Sequence, residues 1–490
     1  MTEAPAGITG PSRLPKPAWT LVLASLGLFM SALDNMVVTT ALPVLRVSLH
    51  ASLSGLEWTV NAYLLSFACM LLTGAALGDR FGRKRMFCIG LAVFTAASAW
   101  AALAPTVGVL IAARVVQGAG AAIIMPLTLT LISEAFPAAK RAMAIGLWGG
   151  IAGLAVAGGP VVGGAVVEGL SWHWIFWLNV PVGLIVIPLS ASRLRESFGP
   201  RARLDITGLL LAGAGFFGLV WALVRASTAG WGSGEVIGTL AAGAALAGAF
   251  VWWERRTPAP MLSLALFRQT RFTSANGVSF LMYAGLFGTL FLMAQFLQSA
   301  QHYTPLQTGI RLLPWTAAAM VASPIAGKLA ERYGNRPFMA GGLFLQAAGL
   351  AWMAAIATPR LGYGELGAAL TVAGVGIGLV FPTVSGEIVA SVPPGEIGVA
   401  SGTNSALREL GGVFGVAVLA TVFARPGVYT SPSLFADGFK AALWVGAGFS
   451  AAGVLVAVSA GRHTKPLPGQ PLQGAPGISR PAPAITSETS

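Results

Sequence analysis

The sequence contains little charge, little cysteine and little histidine. Asp, Glu, Lys and Arg make up 10% of the 490 residues, whereas soluble domains carry about 25%. The two cysteines, Cys69 and Cys88, lie in apolar surroundings, and four histidines are scattered along the chain. This supply supports neither a disulfide framework nor a metal site. Phosphate-binding loop and nucleophile-elbow motifs are also missing from the sequence. We therefore expect no enzyme, no cofactor and no metal.

Apolar residues dominate the chain. They make up 55% of the sequence, and the mean hydropathy is +0.75. The apolar runs are about 20 residues long and do not alternate, which indicates membrane helices rather than a barrel. The first run has no cleavage motif behind it and is interpreted as helix 1 rather than as a signal peptide. The sequence predicts an all-α integral membrane protein with fourteen spanning helices in the bilayer.

The basic residues are distributed unevenly over the connecting segments. If the amino terminus is cytoplasmic, 22 of the 30 Lys and Arg residues fall in interior segments and six in exterior ones. This bias follows the positive-inside rule and predicts that both termini are cytoplasmic. The net charge of +13 is therefore a sign of topology, and we expect no nucleic-acid partner.

The chain repeats itself. "LGDRFGRKRMF" at 77–87 resembles "LAERYGNRPFM" at 329–339, and "GAGAAIIMP" at 118–126 resembles "GVGIGLVFP" at 374–382. Two matches at nearly the same offset predict two parallel six-helix halves, an arrangement that transporters use. The expected organisation is a cytoplasmic tail at 1–17, a first six-helix bundle at 18–192, a linker with two extra helices at 193–271, a second six-helix bundle at 272–461 and a disordered cytoplasmic tail at 462–490.

One acid stands inside the first apolar run. Asp34 is the only full charge between Trp19 and Pro43. Along helix 1, Asp34 lies about 12 Å from the outer end of the bundle. Along helix 4, Arg114 lies about 10 Å from that same end. A pair between them, direct or through water, is therefore plausible. Desolvation favours the neutral acid and the arginine favours the carboxylate, which predicts a protonation site. A static ion pair that fixes helix packing is the alternative.

The second half carries three helix-borne charges, Glu387, Arg408 and Glu409, which we group with Asp34 and Arg114 as candidates for proton coupling. Arg408 lies near the middle of its helix. Glu409 is adjacent in sequence, so it points about 100° away and is not an automatic partner. Glu387 lies toward the inner end of helix 12 and is either a second proton or cation site or an interfacial carboxylate.

The two repeated loops are candidate gates. Gly82 can adopt the positive φ of a tight turn, and Asp79 lies within reach of cationic partners. Plain anchoring at the membrane surface is the alternative for the Lys/Arg cluster. In the second copy Glu331 and Asn335 replace the aspartate and the second arginine, which predicts a weaker latch. The predicted gating residues are Asp79, Arg80, Gly82, Arg83, Glu331 and Arg332.

Helix 5 is rich in glycine around Pro160. Spacings of the G-x-x-x-G type allow another helix to approach closely. The proline removes a backbone donor and bends the helix. Helix 5 is therefore expected to serve either as a pivot or simply as a packing surface for its neighbours. The residues of this motif are Gly159, Pro160, Gly163 and Gly164. Candidate substrate-lining residues are the helix-borne amide and aromatic side chains Asn61, Tyr63, Gln117, Tyr283, Gln295, Gln298 and Asn404.

Several of these patterns resemble one family. D-R-x-G-R-K-R after helix 2, R-x-x-Q-G-x-G in helix 4 and G-G-P-x-x-G-G in helix 5 resemble signatures of the major facilitator superfamily. "LDNMVVTTALP" and "WHWIFWLNVP" resemble its 14-helix drug:proton antiporter branch. The resemblance implies a major facilitator fold and proton-coupled export of small amphipathic or drug-like compounds by alternating access, by a monomer in the plasma membrane of a bacterium. It also implies that helix 5 carries the antiporter motif.

Other functions are weighed against this expectation. A proton-coupled importer of a small metabolite would have the same fold, but the helix-5 motif argues against it. A lipid-handling exporter stays open. Proton release on addition of candidate drugs separates exchange from lipid handling.

Overall fold

The computed structural model describes residues 17–199, 205–258, 260, 262, 264–392, 396–424 and 427–459. The predicted tail at 462–490 and nearly all of the tail at 1–17 lie outside the described residues. Within them the chain forms fourteen long helices and no strand, which confirms the expected all-helical fold class. The helices are α1 Pro17–Ser48, α2 Leu53–Phe81, α3 Arg83–Ala102, α4 Val107–Ala135, α5 Ala138–Gly169, α6 Trp174–Arg193, α7 Ile206–Ala229, α8 Gly234–Glu254, α9 Thr270–Gln295, α10 Pro305–Tyr333, α11 Arg336–Ile356, α12 Tyr363–Ala390, α13 Ile397–Phe423 and α14 Pro432–Ser459.

Thirteen helices of the described chain are long and apolar enough to cross a membrane. The remaining one, α10, has 29 residues but contains Pro314 and Pro324 and carries charge at both ends. It packs against α12 as α2 packs against α4. It therefore holds in the second half the place that α2 holds in the first, as expected for a fourteenth spanning helix.

Helix packing repeats along the chain. In the first half α1 packs on α5, α2 and α3 pack on α4, and α3 packs on α6. In the second half α9 packs on α13, α10 and α11 pack on α12, and α11 packs on α14. The same partners recur eight helices later in the chain, so the sequence repeat corresponds to a repeat of packing.

Helix starts follow local rules of capping. Ser52 and Thr106 accept hydrogen bonds from the backbone of the first turns of α2 and α4. Thr304 and Gln307 form a reciprocal capping box at the start of α10, which satisfies backbone N–H groups that have no partner within the helix. The chain thus turns sharply at helix ends and keeps its long apolar helices antiparallel.

The two halves meet chiefly along α5 with α10 and along α2 with α13. The inserted helices α7 and α8 pack on each other, and α7 also contacts α2 and α13. Trp58 of α2 meets the rings of Phe217 and Trp221 of α7 at centroid distances of 5.5 and 5.8 Å. We call a line along which a helix of one half packs on a helix of the other half a seam. The inserted pair therefore lies beside the seam between α2 and α13.

The seam between α5 and α10 is tight at one end of the bundle only. We call the end that carries the α2–α3 turn the Gly82 end and the opposite end the Glu168 end. At the Glu168 end, a methyl group added to Gly164 would overlap the carbonyl oxygen of Pro305. Toward the Gly82 end, methyl groups added to Gly149 or Gly150 would meet no atom within 4 Å. The halves are thus closed on each other at the Glu168 end and separate along this seam toward the Gly82 end.

Candidate functional site

Asp34 is buried in the middle of α1, with 2% of its surface exposed. Its Oδ2 accepts a hydrogen bond from Nη1 of Arg114 at 2.5 Å. Its Oδ1 accepts from Nε2 of Gln117 and from Nδ2 of Asn179, each at 2.8 Å. Three donors from α4 and α6 therefore stabilise the carboxylate form of an acid that burial alone would neutralise.

Arg114 is buried as completely as its partner, with 0% of its surface exposed. Its Nη1 also donates to Oε1 of Gln117 at 2.7 Å, and its Nε donates to the carbonyl oxygen of Thr59 at 3.2 Å. Its guanidinium carbon lies 4.2 Å from the ring centroid of Tyr63. A buried guanidinium stays charged, so these acceptors and this ring hold a permanent cation beside Asp34.

Ser98 of α3 completes the network. Its Oγ accepts from Nε2 of Gln117 at 2.8 Å and from Nδ2 of Asn179 at 3.3 Å, and it donates to the carbonyl oxygen of Phe94 at 2.9 Å. The network therefore joins α1, α3, α4 and α6 at one depth. A proton that binds Asp34 must weaken its contact with Arg114, so protonation and helix packing are linked here.

The second half brings Arg408 and Glu409 together. Nη2 of Arg408 lies 3.5 Å from Oε1 of Glu409, although neighbouring residues of a helix point apart, because both side chains are long enough to bend toward each other. The guanidinium of Arg408 also lies 5.0 Å from the ring centroid of Tyr283 and 5.2 Å from that of Phe381. This cluster combines a buried carboxylate with aromatic faces, the groups that hold organic cations.

Most predicted lining residues make packing contacts in this conformation. Nδ2 of Asn404 donates to Oγ of Ser279 at 2.8 Å. Oε1 of Gln295 accepts from the hydroxyl of Tyr429 at 2.6 Å. Nε2 of Gln298 donates to the carbonyl oxygen of Thr40 at 2.8 Å and so ties α1 to the segment after α9.

Two lining candidates lie on α2. The hydroxyl of Tyr63 is 3.4 Å from the carbonyl oxygen of Ser31, and its ring faces Arg114. Asn61 is fully buried, and neither polar atom of its side chain has a hydrogen-bond partner among the described residues. Asn61 is therefore a group whose hydrogen-bonding capacity stays unused in this conformation.

The α2–α3 turn is stabilised by ionic and aromatic contacts of its charged side chains. Gly82 has a φ of 104°, a conformation in which a side chain would be strained. Nε of Arg83 donates to Oδ1 of Asp79 at 2.8 Å, and its Nη1 contacts Oε1 of Glu134 at the end of α4. The guanidinium of Arg80 lies 5.4 Å from the ring centroid of Phe81. The predicted gating aspartate and arginine are thus one cluster.

A short segment after α6 caps this turn. Oε1 and Oε2 of Glu196 accept from the backbone N–H groups of Lys84 and Arg85 at 2.9 and 3.1 Å. The N–H of Gly199 donates to the carbonyl oxygen of Asp79 at 3.1 Å. A carboxylate at a helix N-terminus accepts hydrogen bonds from the free N–H groups of the first turn and interacts favourably with the helix dipole. Residues 194–199, which we call the connector, therefore belong structurally to the α2–α3 turn, the candidate gate of the first half.

The second-half turn has fewer ionic contacts. Nδ2 of Asn335 donates to Oε2 of Glu387 at 3.0 Å, and Oε1 of Glu387 lies 3.9 Å from Nε of Arg271. Arg332 lies over the ring of Tyr333 at 5.4 Å, and Glu331 is exposed. Glu387 therefore sits beside the loop of its own half rather than near Asp34.

The glycine motif of α5 touches both halves. A methyl group on Gly159 would overlap the side chain of Met36, and one on Gly163 would overlap Oγ1 of Thr40, both in α1. Across the seam, a methyl group on Gly309 of α10 would overlap the carbonyl oxygen of Pro160. The motif therefore allows α5 to lie in backbone contact with α1 on one side and α10 on the other.

Sequence reasoning missed several members of these clusters. They are Glu57, Ser98, Glu134, Asn179 and Glu196. Glu134 had a usable signal, because it lies 253 residues before Glu387, close to the repeat offset. The described residues contain no group of three or more His, Cys, Asp or Glu side chains that could hold a metal ion.

Two repeated halves of membrane-spanning helices, with a buried, ion-paired acid inside the first half, are typical of a secondary membrane transporter. The chain is not an enzyme. It belongs to the Major Facilitator Superfamily, whose family model matches residues 24–416 and, in a second match, 275–486. This membership makes the chain a multi-pass membrane protein, and its bacterial relatives imply a location in the plasma membrane.

Several curated proteins are similar to this chain. The multidrug resistance protein Stp of Mycobacterium tuberculosis is 37% identical over 407 residues, which cover 83% of this chain and 75% of that protein. The tetracenomycin C resistance and export protein of Streptomyces glaucescens is 34% identical, over 86% of this chain and 79% of that protein. The methylenomycin A resistance protein of Bacillus subtilis is 31% identical, over 89% of this chain and 93% of that protein.

Solved structures share the fold at low identity. A bacterial homologue of the human lysosomal transporter Spinster, in an inward-facing and occupied conformation, has a TM-score of 0.65 and 17% identity, over 91% of this chain and 97% of that one. The nucleoside transporter NupG has a TM-score of 0.64 and 15% identity, over 91% of this chain and 100% of that one. These likenesses concern the fold alone.

Proposed function

We propose that this protein is a proton-coupled antiporter that exports small amphipathic or drug-like compounds by alternating access. The observation that carries the proposal is the buried contact between Asp34 and Arg114, completed by Gln117 and Asn179. Similar proteins named for multidrug resistance, for tetracenomycin C export and for methylenomycin A resistance support the direction of transport.

The direction of opening follows from charge. The Gly82 end carries Arg80, Arg83, Lys84 and Arg85, and the positive-inside rule assigns such a cluster to the cytoplasm. The gap between α5 and α10 then opens inward, and the closed Glu168 end faces outside. Substrate enters from the cytoplasm or the inner leaflet while Asp34 is ionised and held by Arg114.

The proton reaches Asp34 when the Glu168 end is open. Neutral Asp34 loses its ionic attraction to Arg114, which frees one of the contacts that join α1 to α4. Substrate and proton need not meet, because each has only to bind the two conformers with different affinity. The cluster of Glu409, Arg408 and Tyr283 supplies a carboxylate and an aromatic face for a cationic part of the substrate.

The test uses purified full-length protein in proteoliposomes with a pH-sensitive dye inside. Panels of lipophilic cations, neutral drugs and acidic compounds are added, with and without an imposed proton gradient. We expect uphill transport of at least one class against its own gradient, coupled to proton movement in the opposite direction.

Two outcomes would overturn the proposal. Transport of substrate and protons in the same direction would indicate an importer. Movement of fluorescent lipids with no proton flux on addition of any drug would indicate lipid handling. Empty liposomes and protein with Asp34→Asn serve as controls for leak and for coupling.

A further inference from the structure

Glu57 is a carboxyl group that the proposed coupling site does not use. It is 0% exposed, and neither of its oxygens has a hydrogen-bond partner or a salt bridge among the described residues. Asn61, one turn further along α2, is buried and unpartnered in the same way. Buried polar groups nearly always have partners, so two such side chains one turn apart on the same helix need an explanation.

The face of α2 that carries these residues lies against the other half. Leu64 and Leu72 share this face, because residues seven or eight apart in a helix point the same way. A methyl group on Gly412 of α13 would lie 3.6 Å from Leu64, and one on Gly402 would lie 2.5 Å from Leu72. Glu57 therefore faces the seam between α2 and α13, near the first turn of α2 at the Glu168 end.

Charged neighbours of Glu57 are engaged elsewhere. The guanidinium of Arg46, at the end of α1, lies 3.2 Å from the ring centroid of Tyr429. Burial raises the pKa of the Tyr429 hydroxyl, Arg46 lowers it and Glu57 raises it, so Arg46 and Glu57 each lie within electrostatic range of this hydroxyl. The Tyr429 hydroxyl donates to Gln295. Arg46 is thus engaged with the ring of Tyr429, and no ion pair between Arg46 and Glu57 is found among the described residues.

On α4, α13 and α7, which pack on α2, the cations that the structure describes have other partners. On α4 the charged residues are Arg114, which binds Asp34, and Glu134, which lies at the Gly82 end. On α13 Arg408 contacts Glu409 near the middle of the helix. On α7 Arg225 pairs with Glu235 of α8. The titratable and charged groups on these elements, on α1, on the turn before α2 and on the turn at 427–430 are Asp34, Arg46, His50, Arg114, Glu134, Arg225, Arg408, Glu409 and Tyr429.

We propose that Glu57 is a second proton-binding site, separate from Asp34, whose proton closes the Glu168 end of the transporter. The inference rests on the proposed function for the direction of the cycle. A buried carboxyl group without an ion pair is stable as the neutral acid. Closure of α2 on α13 therefore requires one proton from outside water to bond to a carboxylate oxygen of Glu57. When this end opens, water reaches the group, and the proton returns outside.

This scheme gives Glu57 a role that differs from that of Asp34. Its proton is taken up and released on the same side, so it moves no net proton across the membrane. Closure of the Glu168 end is instead favoured at low external pH and opposed at high external pH. One proton per closure changes the ratio of closed to open molecules by up to about tenfold per pH unit.

The experiment measures that ratio in full-length protein in lipid nanodiscs. Spin labels on α5 and α10 at the Glu168 end report closed and open distances across a pH series. We expect the slope of the logarithm of the ratio against pH to fall by about one unit in Glu57→Gln. Glu365→Gln is the matched control, since Glu365 is an exposed glutamate in the first turn of α12, and its slope should equal that of the wild type.

Infrared difference spectra supply a direct second readout. The wild type minus Glu57→Gln spectrum should contain a protonated carboxyl band in an inward-open trap at neutral pH and lose it in an outward-open trap. Glu57→Asp should keep such a band, which guards against a variant that folds poorly. A band that is absent in both traps, or present in both, overturns the proposal, as does an unchanged slope.

Failure here can be told apart from failure of the proposed function. If proteoliposomes show proton-coupled export while the Glu57 band never changes, only this inference falls. If the band changes while no substrate moves protons, the site stands as a proton-binding site and the antiport function falls.

Discussion

Glu134 and Glu387 occupy equivalent positions in the two halves, 253 residues apart. Each lies near the end of the fourth helix of its half and contacts the residue that follows the turn glycine after the second helix. Glu134 contacts Arg83, whereas Glu387 accepts from Asn335 at 3.0 Å. The first half thus has an ion pair at this place, whereas the second half has a hydrogen bond from an amide and a longer ion pair with Arg271 at 3.9 Å.

This equivalence predicts that Glu387 serves the gate and not proton transfer. Glu387→Gln keeps an acceptor for Asn335, so we expect proton-coupled export with an unchanged ratio of protons to substrate. The maximal rate should fall in Glu134→Gln, which removes a full ion pair, more than in Glu387→Gln. Parallel substrate and proton fluxes in proteoliposomes measure both quantities. A lower proton ratio in Glu387→Gln would instead make Glu387 a second coupling site.

Replacement of Asp34 tests the coupling site itself. Asn in place of Asp34 keeps the shape and one acceptor for Arg114 but cannot bind or release a proton. We expect Asp34→Asn to assemble in the membrane and to lose export driven by a proton gradient. Everted membrane vesicles measure this, with Asp437→Asn as the control because Asp437 is exposed on α14. Export of every substrate at the wild-type rate would make Asp34 a structural residue.

Asn179 tests the hydrogen bonds that hold Asp34 in the network. Its Nδ2 donates to Oδ1 of Asp34 at 2.8 Å, and removal of a donor to a charged group costs about 1.5–3 kcal/mol. Asn179→Ala should therefore lower the rate of proton-coupled export in proteoliposomes. Ser98→Ala, which contacts Asn179 and Gln117 but not Asp34, should lower it less. A wild-type rate in Asn179→Ala would contradict the role assigned to Asn179.

Gly164 tests the closed end of the seam. A methyl group there would overlap the backbone of Pro305 in α10, and overpacking of this kind costs about 1–3 kcal/mol. We expect Gly164→Ala to shift molecules toward opening of the Glu168 end and to slow export. Gly149→Ala in the same helix meets no atom within 4 Å and should behave as the wild type in the same distance measurement. Equal behaviour of the two variants would show that α5 and α10 do not need this close approach.

The sequence predicted those parts of the site that carry full charge in apolar helices. The pairing of Asp34 with Arg114 follows from their depths, because a rise of about 1.5 Å per residue fixes position along a helix. The fold class follows from the length of the apolar runs. Both predictions depend on distance along one axis, which a sequence contains directly.

The rest of the site depends on rotation and on long-range packing. Ser98 and Asn179 join the network only because α3 and α6 turn the correct faces toward α4, which no pattern in either helix specifies. Glu57 lies near a helix start, where an acid is ordinarily interfacial. It is nevertheless 0% exposed, and no local pattern around the helix start predicts that burial.

The connector has a practical consequence for anyone who wishes to shorten this protein. The inserted helices α7 and α8 have no counterpart in the second half and invite deletion to give a minimal twelve-helix carrier. A cut made directly after α6 would remove Glu196, which caps the backbone of Lys84 and Arg85, and Gly199, which binds Asp79. A truncated design must therefore retain residues 194–199 and rejoin the chain beyond them.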